Sequence, residues 1–161
     1  MLKTTDKMQD QQRKSVSILG ATGSVGGSTA DLLLANPDCF SVAALTGGRN
    51  VKRLAELARA LKPGFVAIAD PDAYADLKNA LSGTGIEVAA GDAAVCEAAA
   101  RPSDWVMAAI GGCAGLLPTL TAVRRGATVA LADKEGLVSA GETWMREVEA
   151  AGATLRRGES V

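Results

Sequence analysis

Three short clusters carry most of the chemistry that this chain offers. They are the glycine-rich run Gly20-Ala21-Thr22-Gly23-Ser24-Val25-Gly26, the guanidinium of Arg49 within Gly47-Gly48-Arg49-Asn50, and the charged triplet Asp133-Lys134-Glu135. The glycine run follows a short apolar stretch, residues 15–19, and leads into a helical pattern. A turn of this kind lets backbone N–H groups at a helix N-terminus close on a phosphate, because no side chain blocks the approach and the helix dipole favours an anion. Gly20 is expected to make the tight turn, Gly23 the close approach, and Gly26 the contact between helix and strand. The spacing is G-x-x-G-x-x-G rather than the commoner G-x-G-x-x-G. The context, a strand before and a helix after, therefore carries the assignment more than the spacing does.

Arg49 sharpens the reading. In a dinucleotide-binding fold the end of the second strand meets the adenosine ribose, and an acid about twenty residues past the glycine fingerprint accepts from the ribose 2′-hydroxyl. Here that strand runs Val42-Ala43-Ala44-Leu45, and the loop after it carries Arg49 and no acid. A carboxylate repels a 2′-phosphate, whereas a guanidinium pairs with it through charge-assisted hydrogen bonds. The residues thus predict NADP(H) over NAD(H), with Gly48 giving room and Asn50 offering amide donors. Ligands in such folds sit beyond the carboxyl ends of the strands. Two later strand ends qualify: Ala108-Ala109-Ile110-Gly111-Gly112-Cys113-Ala114-Gly115, with bare backbone for a nicotinamide ring, and Leu131-Ala132-Asp133-Lys134-Glu135, with three charged groups side by side.

The elements that must position these clusters alternate. After the strand at 15–19 and the turn, residues 27–35 show a helical apolar face (Ala30, Leu33, Leu34) that stops near Asn36-Pro37. Strands are expected at 40–45, 65–68, 86–89, 105–110, 128–132 and 153–156. Helices are expected at 51–61 with Asn50 as N-cap, from Asp70 through 81, at 93–100, at 116–125 closed by Gly126, and at 139–151. Strand–helix alternation of this kind demands crossover connections. It predicts an α/β fold with a doubly wound, mostly parallel, Rossmann-like sheet over residues 15–161, preceded by a polar, disordered lead-in at 1–14.

Composition narrows the partners. At 161 residues the chain holds one domain with a real core. It is 48% hydrophobic but only 3% aromatic, which suits closely packed small-residue layers. A net charge of −1 without like-charge blocks argues against nucleic acid or a membrane surface as partner. No apolar run is long enough to span a bilayer, and residues 1–14 lack the apolar stretch of a signal peptide. The absence of histidine removes His-based acid–base chemistry and His metal sites. Cys39, Cys96 and Cys113 form no C-x-x-C pair and are expected to be buried thiols of a cytoplasmic protein.

The clusters together resemble a known family. Gly20–Gly26 with Ser28-Thr29, the stretch from Ala44-Leu45 to Asn50, Ala108-Ala109-Ile110-Gly111, Gly115-Leu116-Leu117-Pro118-Thr119-Leu120, and Leu131-Ala132-Asp133-Lys134-Glu135 with Leu137-Val138-Ser139-Ala140-Gly141 look like 1-deoxy-D-xylulose 5-phosphate reductoisomerase. The resemblance runs from about Val16 to Leu155. It implies that Thr22, Gly23, Ser24 and Val25 hold the pyrophosphate region of NADPH and that Gly48, Arg49 and Asn50 bind its adenosine end. By the same resemblance Lys134 contacts the substrate, 1-deoxy-D-xylulose 5-phosphate, while Asp133 and Glu135 touch the cofactor. The implied reaction rearranges the linear ketose phosphate to a branched aldehyde, which NADPH reduces to 2-C-methyl-D-erythritol 4-phosphate on the way to isoprenoids. A divalent cation, Mg²⁺ or Mn²⁺, polarises the substrate as a Lewis acid. Complete family members are homodimers, built largely through regions this chain does not carry.

Two departures qualify the resemblance. The family reads Asn and Ser where this chain has Asp133 and Gly136; the first exchanges a donating amide for an acceptor-only carboxylate. Where the family reads Pro-Val-Asp-Ser-Glu after the last strand, this chain has Arg157-Gly158-Glu159-Ser160-Val161. Glu159 is the candidate metal ligand there and Ser160 the candidate substrate contact, but Val161 replaces an acid. Mg²⁺ demands a near-octahedral set of oxygens, so the chain alone is expected to bind NADPH without turnover. Rival readings fit less well. Tyr74 and Lys78 match the Y-x-x-x-K pair of short-chain dehydrogenases, but on the helix after the third strand rather than the fifth. A semialdehyde-dehydrogenase-like reductase shares the Gly-Ala-Thr-Gly opening but needs a histidine. A non-catalytic NADP(H)-binding fragment or a decayed gene product is the remaining alternative.

Overall fold

The computed structural model describes residues 13–132 and the backbone of the strand Thr154–Arg157. In chain order the elements are β1 (Lys14–Leu19), α1 (Ser24–Ala35), β2 (Phe40–Gly47), α2 (Val51–Leu61), β3 (Phe65–Ile68), α3 (Tyr74–Ala80), β4 (Glu87–Ala90), α4 (Asp92–Ala100), β5 (Trp105–Ala108), α5 (Leu116–Arg124), β6 (Thr128–Leu131) and β7 (Thr154–Arg157). Short 3-10 turns at Pro71–Ala73 and Gly112–Gly115 lead into α3 and α5. The strands form one seven-stranded sheet in the order β4-β3-β2-β1-β5-β6-β7, and every neighbouring pair is parallel. The chain winds outward from β1 to β4, crosses back, and winds the other way from β5. The fold is the expected doubly wound sheet, and its order reverses between β1 and β5.

Alternation along the strands divides the core into two layers. Val16, Ile18, Val66 and Ile68 pack with Leu33, Leu54, Leu57 and Leu77 of α1, α2 and α3. Leu19, Ala44, Phe65, Ala67, Val106 and Val129 pack on the other face with Ala94, Val95, Ala98 and Ala99 of α4 and Ala122 and Val123 of α5. The register of β1 against β2 jumps from Val16↔Val42 to Ser17↔Ala44. That extra residue lets Val42 and Leu45, three apart, share a face. Alanines dominate α4 because it crosses back over β3, β2 and β1, where the layers must approach closely. Arg125 fastens the end of α5 to the chain preceding β5, its guanidinium donating to the Ala99 carbonyl (2.8 Å), the Ser103 carbonyl (3.1 Å) and Ser103 Oγ (2.6 Å). Burial pushes the pKa of this group down from the ordinary arginine value.

The expected caps are present: Asn50 Oδ1 accepts from Arg53 N (3.1 Å), Asp70 Oδ1 accepts from Asp72 N (3.0 Å), and Gly126 follows α5 with a positive φ of 82°. Several details differ from expectation. β2 runs to Gly47 rather than stopping at 45, because Thr46 and Gly47 pair with Ala67 and Ile68 of β3. β5 ends at Ala108 rather than 110, β4 is shifted by one residue, and β1 starts at Lys14. Leu34 is exposed; Gly26 joins Ala30 and Leu33 on the buried side of α1, which starts at Ser24 rather than at 27. The cysteines are not buried: Cys39 and Cys113 are exposed on connecting turns and Cys96 is half-buried, all three as free thiols. No described helix is long and apolar enough to cross a membrane. The expected helix at 139–151 lies outside the described residues.

Candidate functional site

The turn after β1 is held by backbone contacts that leave no space for a side chain at Gly20 or Gly26. Gly20 has φ +84°, and a Cβ there would lie 2.7 Å from the Ala109 carbonyl oxygen. A Cβ on Gly26 would overlap the Gly20 carbonyl. The turn is also tied to the end of β2: Gly20 N donates to Thr46 Oγ1 (2.9 Å) and Ala21 N to the Thr46 carbonyl (2.8 Å). Thr46, almost fully buried, thus holds the turn in place; in the sequence its one signal is a lone threonine at the end of an apolar strand. α1 then begins with Gly23 as cap, no side-chain cap and no acid in its first turn. The N–H groups of Ser24 and Val25 precede the first intrahelical donor, Gly27 N, which bonds the Gly23 carbonyl (2.8 Å), and both residues are exposed. Thr22 is half-buried, with its methyl group facing Gly47.

At the end of β2, Gly48, Arg49 and Asn50 are all exposed, and a Cβ on Gly48 would meet nothing within 4 Å. The oxygen of Asn50 is committed to capping α2, which leaves its NH₂ group as the free donor. Arg49 forms no ion pair with a described residue. An open groove of about 490 Å³ runs past Gly48, Arg49, Ala69, Asp70 and Asp72. In the sequence Asp70 reads only as a helix cap, and nothing there sets either acid near Arg49. They follow β3, Asp70 as the cap of the 3-10 turn and Asp72 within it, and the pairing of β2 with β3 sets this segment beside the loop that carries Arg49.

These parts meet at one cleft. It encloses about 400 Å³ and is bounded by Gly20, Gly23, Thr46, Gly47, Gly48 and Ala69, by Asp92, Val95 and Cys96 of α4, and by Ala109, Ile110, Cys113, Ala114, Leu117 and Pro118. Gly48 and Ala69 also line the Arg49 groove, so cleft and groove adjoin. The far wall is bent back tightly, because a Cβ on Gly115 would overlap the Ile110 carbonyl. The cleft lies outside the carboxyl ends of β1 and β5, where the strand order reverses and ligands of open α/β sheets bind. Its size is within the range of small-molecule pockets, about 300–1,000 Å³. Tyr74 and Lys78 do not border it; the Lys78 ammonium lies 5.6 Å from the centre of the exposed Tyr74 ring.

Asp133, Lys134, Glu135, Glu159 and Ser160 lie outside the described residues. The chain reaches Ala132 at the carboxyl edge of the sheet, where its N–H donates to the Ala108 carbonyl (3.0 Å). Among the described residues no group of three His, Cys, Asp or Glu side chains is placed to hold a metal ion.

A doubly wound parallel sheet with a glycine turn and an uncapped helix N-terminus at its switch point defines a Rossmann-like dinucleotide-binding domain. Comparison with known proteins makes this particular. Residues 16–141 match the family model for 1-deoxy-D-xylulose 5-phosphate reductoisomerase, and the chain belongs to that family. The enzyme of that name from Bradyrhizobium sp. strain BTAi1 is 57% identical over 147 residues, covering 91% of this chain and 36% of the relative. The solved structure of the Zymomonas mobilis enzyme in complex with NADPH superposes with a TM-score of 0.89 at 53% identity, covering 91% of this chain and 39% of that one. A structure of the enzyme with NADPH, fosmidomycin and magnesium gives a TM-score of 0.85 at 37% identity, covering 89% and 36%. The chain thus spans little more than a third of the length of the relatives it matches.

Proposed function

We propose that this chain is the NADPH-binding domain of a cytoplasmic 1-deoxy-D-xylulose 5-phosphate reductoisomerase. The observation that carries the reading is a cleft that reaches from the Gly23 cap of α1 to Gly48, where it adjoins the Arg49 groove. The cradle fits the cofactor at both ends. Thr22, Gly23, Ser24 and Val25 surround free backbone donors suited to a pyrophosphate, and Gly48, Arg49 and Asn50 present open space, a guanidinium and an amide to an adenosine 2′-phosphate. The apolar wall of Ala109, Ile110 and Leu117 suits the flat face of a nicotinamide. Bound there, NADPH supplies the hydride that reduces the rearranged substrate.

The remaining roles rest on the family resemblance. Lys134 contacts 1-deoxy-D-xylulose 5-phosphate, Asp133 and Glu135 adjoin the cofactor, Ser160 contacts substrate, and Glu159 contributes to a Mg²⁺ or Mn²⁺ site. Since the chain spans about a third of its relatives' length, we expect it to bind cofactor but to show no turnover by itself with either metal. Titration with NADPH and NADH tests the binding claim. NADPH is expected to bind the tighter, and Arg49→Ala to weaken it by about 10- to 100-fold while leaving NADH little changed, because a charge-assisted pair contributes roughly 1.5–3 kcal/mol. Equal affinity for the two dinucleotides, or an Arg49→Ala variant that keeps the preference, overturns the assignment.

A further inference from the structure

We propose that Asp70 is a determinant of cofactor choice in this chain, a carboxylate that opposes Arg49 at the ribose 2′-position. The proposal rests on the Arg49 groove being the site of that position. The backbone ladder continues past the strand ends: Ala69 N donates to the Gly47 carbonyl (2.8 Å) and Asp70 N to the Gly48 carbonyl (3.0 Å). Asp70 is therefore locked alongside the loop that carries Arg49. Its side chain is held as well, since Oδ1 accepts from Asp72 N (3.0 Å), which leaves Oδ2 without a described partner. Arg49 pairs with no described acid. The groove therefore presents a cation and a half-buried carboxylate to whatever enters it, not a neutralised pair.

The two groups favour different ligands. A ribose 2′-phosphate is drawn to Arg49 and repelled by Asp70, with exposed Asp72 adding a weaker repulsion. A ribose 2′-hydroxyl instead finds in Asp70 the acceptor that dinucleotide folds usually place at the end of the second strand. In this chain the acceptor comes from the neighbouring strand. Asp70 thereby restrains a preference for NADPH that Arg49 alone would make steeper.

Asp70→Asn isolates the charge, because asparagine keeps the oxygen that caps the 3-10 turn. With NADPH and NADH as probes, the variant is expected to bind NADPH about 3- to 10-fold more tightly than wild type at low salt. The gain should shrink as ionic strength rises, since the repulsion is screened. Affinity for NADH is expected to stay level or fall. Asp72→Asn, at an exposed position, should move NADPH in the same direction by less. Unchanged or weakened NADPH binding in a folded Asp70→Asn protein overturns the proposal, as does an equal gain for both dinucleotides. If wild type prefers NADPH through Arg49 and Asp70→Asn has no effect, only this inference fails. If wild type binds neither dinucleotide, the reading of the site fails with it.

Discussion

At the β1–α1 turn a Cβ added to Gly26 would overlap the Gly20 carbonyl, whereas at the β2–α2 loop a Cβ added to Gly48 would meet nothing within 4 Å. The two regions border the same cleft and are specified by different physics. The turn is defined by how closely backbones approach: Gly20 against Ala109, Gly26 against Gly20, and both strand ends held through Thr46. The loop is defined by charge in open space, with Arg49 exposed and Asp70 set beside it. Changes in the first region should therefore register in folding before they register in binding. Changes in the second should alter what binds and leave the fold alone.

The contrast breaks most visibly at Gly26. Gly26→Ala places a methyl group where a carbonyl oxygen already sits, and neither is the end of a flexible side chain. We expect a loss of more than about 3 kcal/mol in urea unfolding, or no soluble protein. A variant that melts like wild type would mean the turn tolerates a different path. Thr46→Val comes next. It keeps the shape and removes the acceptor for Gly20 N, which costs about 1–3 kcal/mol for the buried donor left unmade. If the Gly20–Gly26 turn holds the pyrophosphate as proposed, dinucleotide affinity should fall with stability, since the same bond positions that turn. Arg49→Ala belongs to the other class, and its melting temperature should stay close to that of wild type despite the expected loss of NADPH binding. Gly48→Ala has the smallest effect on the fold, within about 0.5 kcal/mol by thermal denaturation. Any change it makes should be confined to ligand affinity, as a test of the room that Gly48 leaves.

Legibility in the sequence followed the same division. Local signals were readable: the strand–turn–helix at Gly20–Gly26, the caps at Asn50 and Asp70, the stop at Gly126 and the strand–helix alternation that implies a parallel sheet. What depended on strands distant in sequence was not. Nothing in Thr46-Gly47 alone announces that β3 will pair with them and extend β2, or that the Thr46 hydroxyl will accept from Gly20. Asp70 reads as a helix cap, and only the register of β2 with β3 brings it to the Arg49 groove. Burial was misjudged where apolar character stood in for position. Leu34 falls outside the inner stripe of α1, and Cys39 and Cys113 lie on turns.

A crystal structure of this chain with NADPH tests the central claim most directly. The account predicts the pyrophosphate against the N–H groups of Ser24 and Val25, and the 2′-phosphate within hydrogen-bonding distance, about 3 Å, of the Arg49 guanidinium. An adenosine end lying anywhere other than beside the Gly47–Asn50 loop would contradict it.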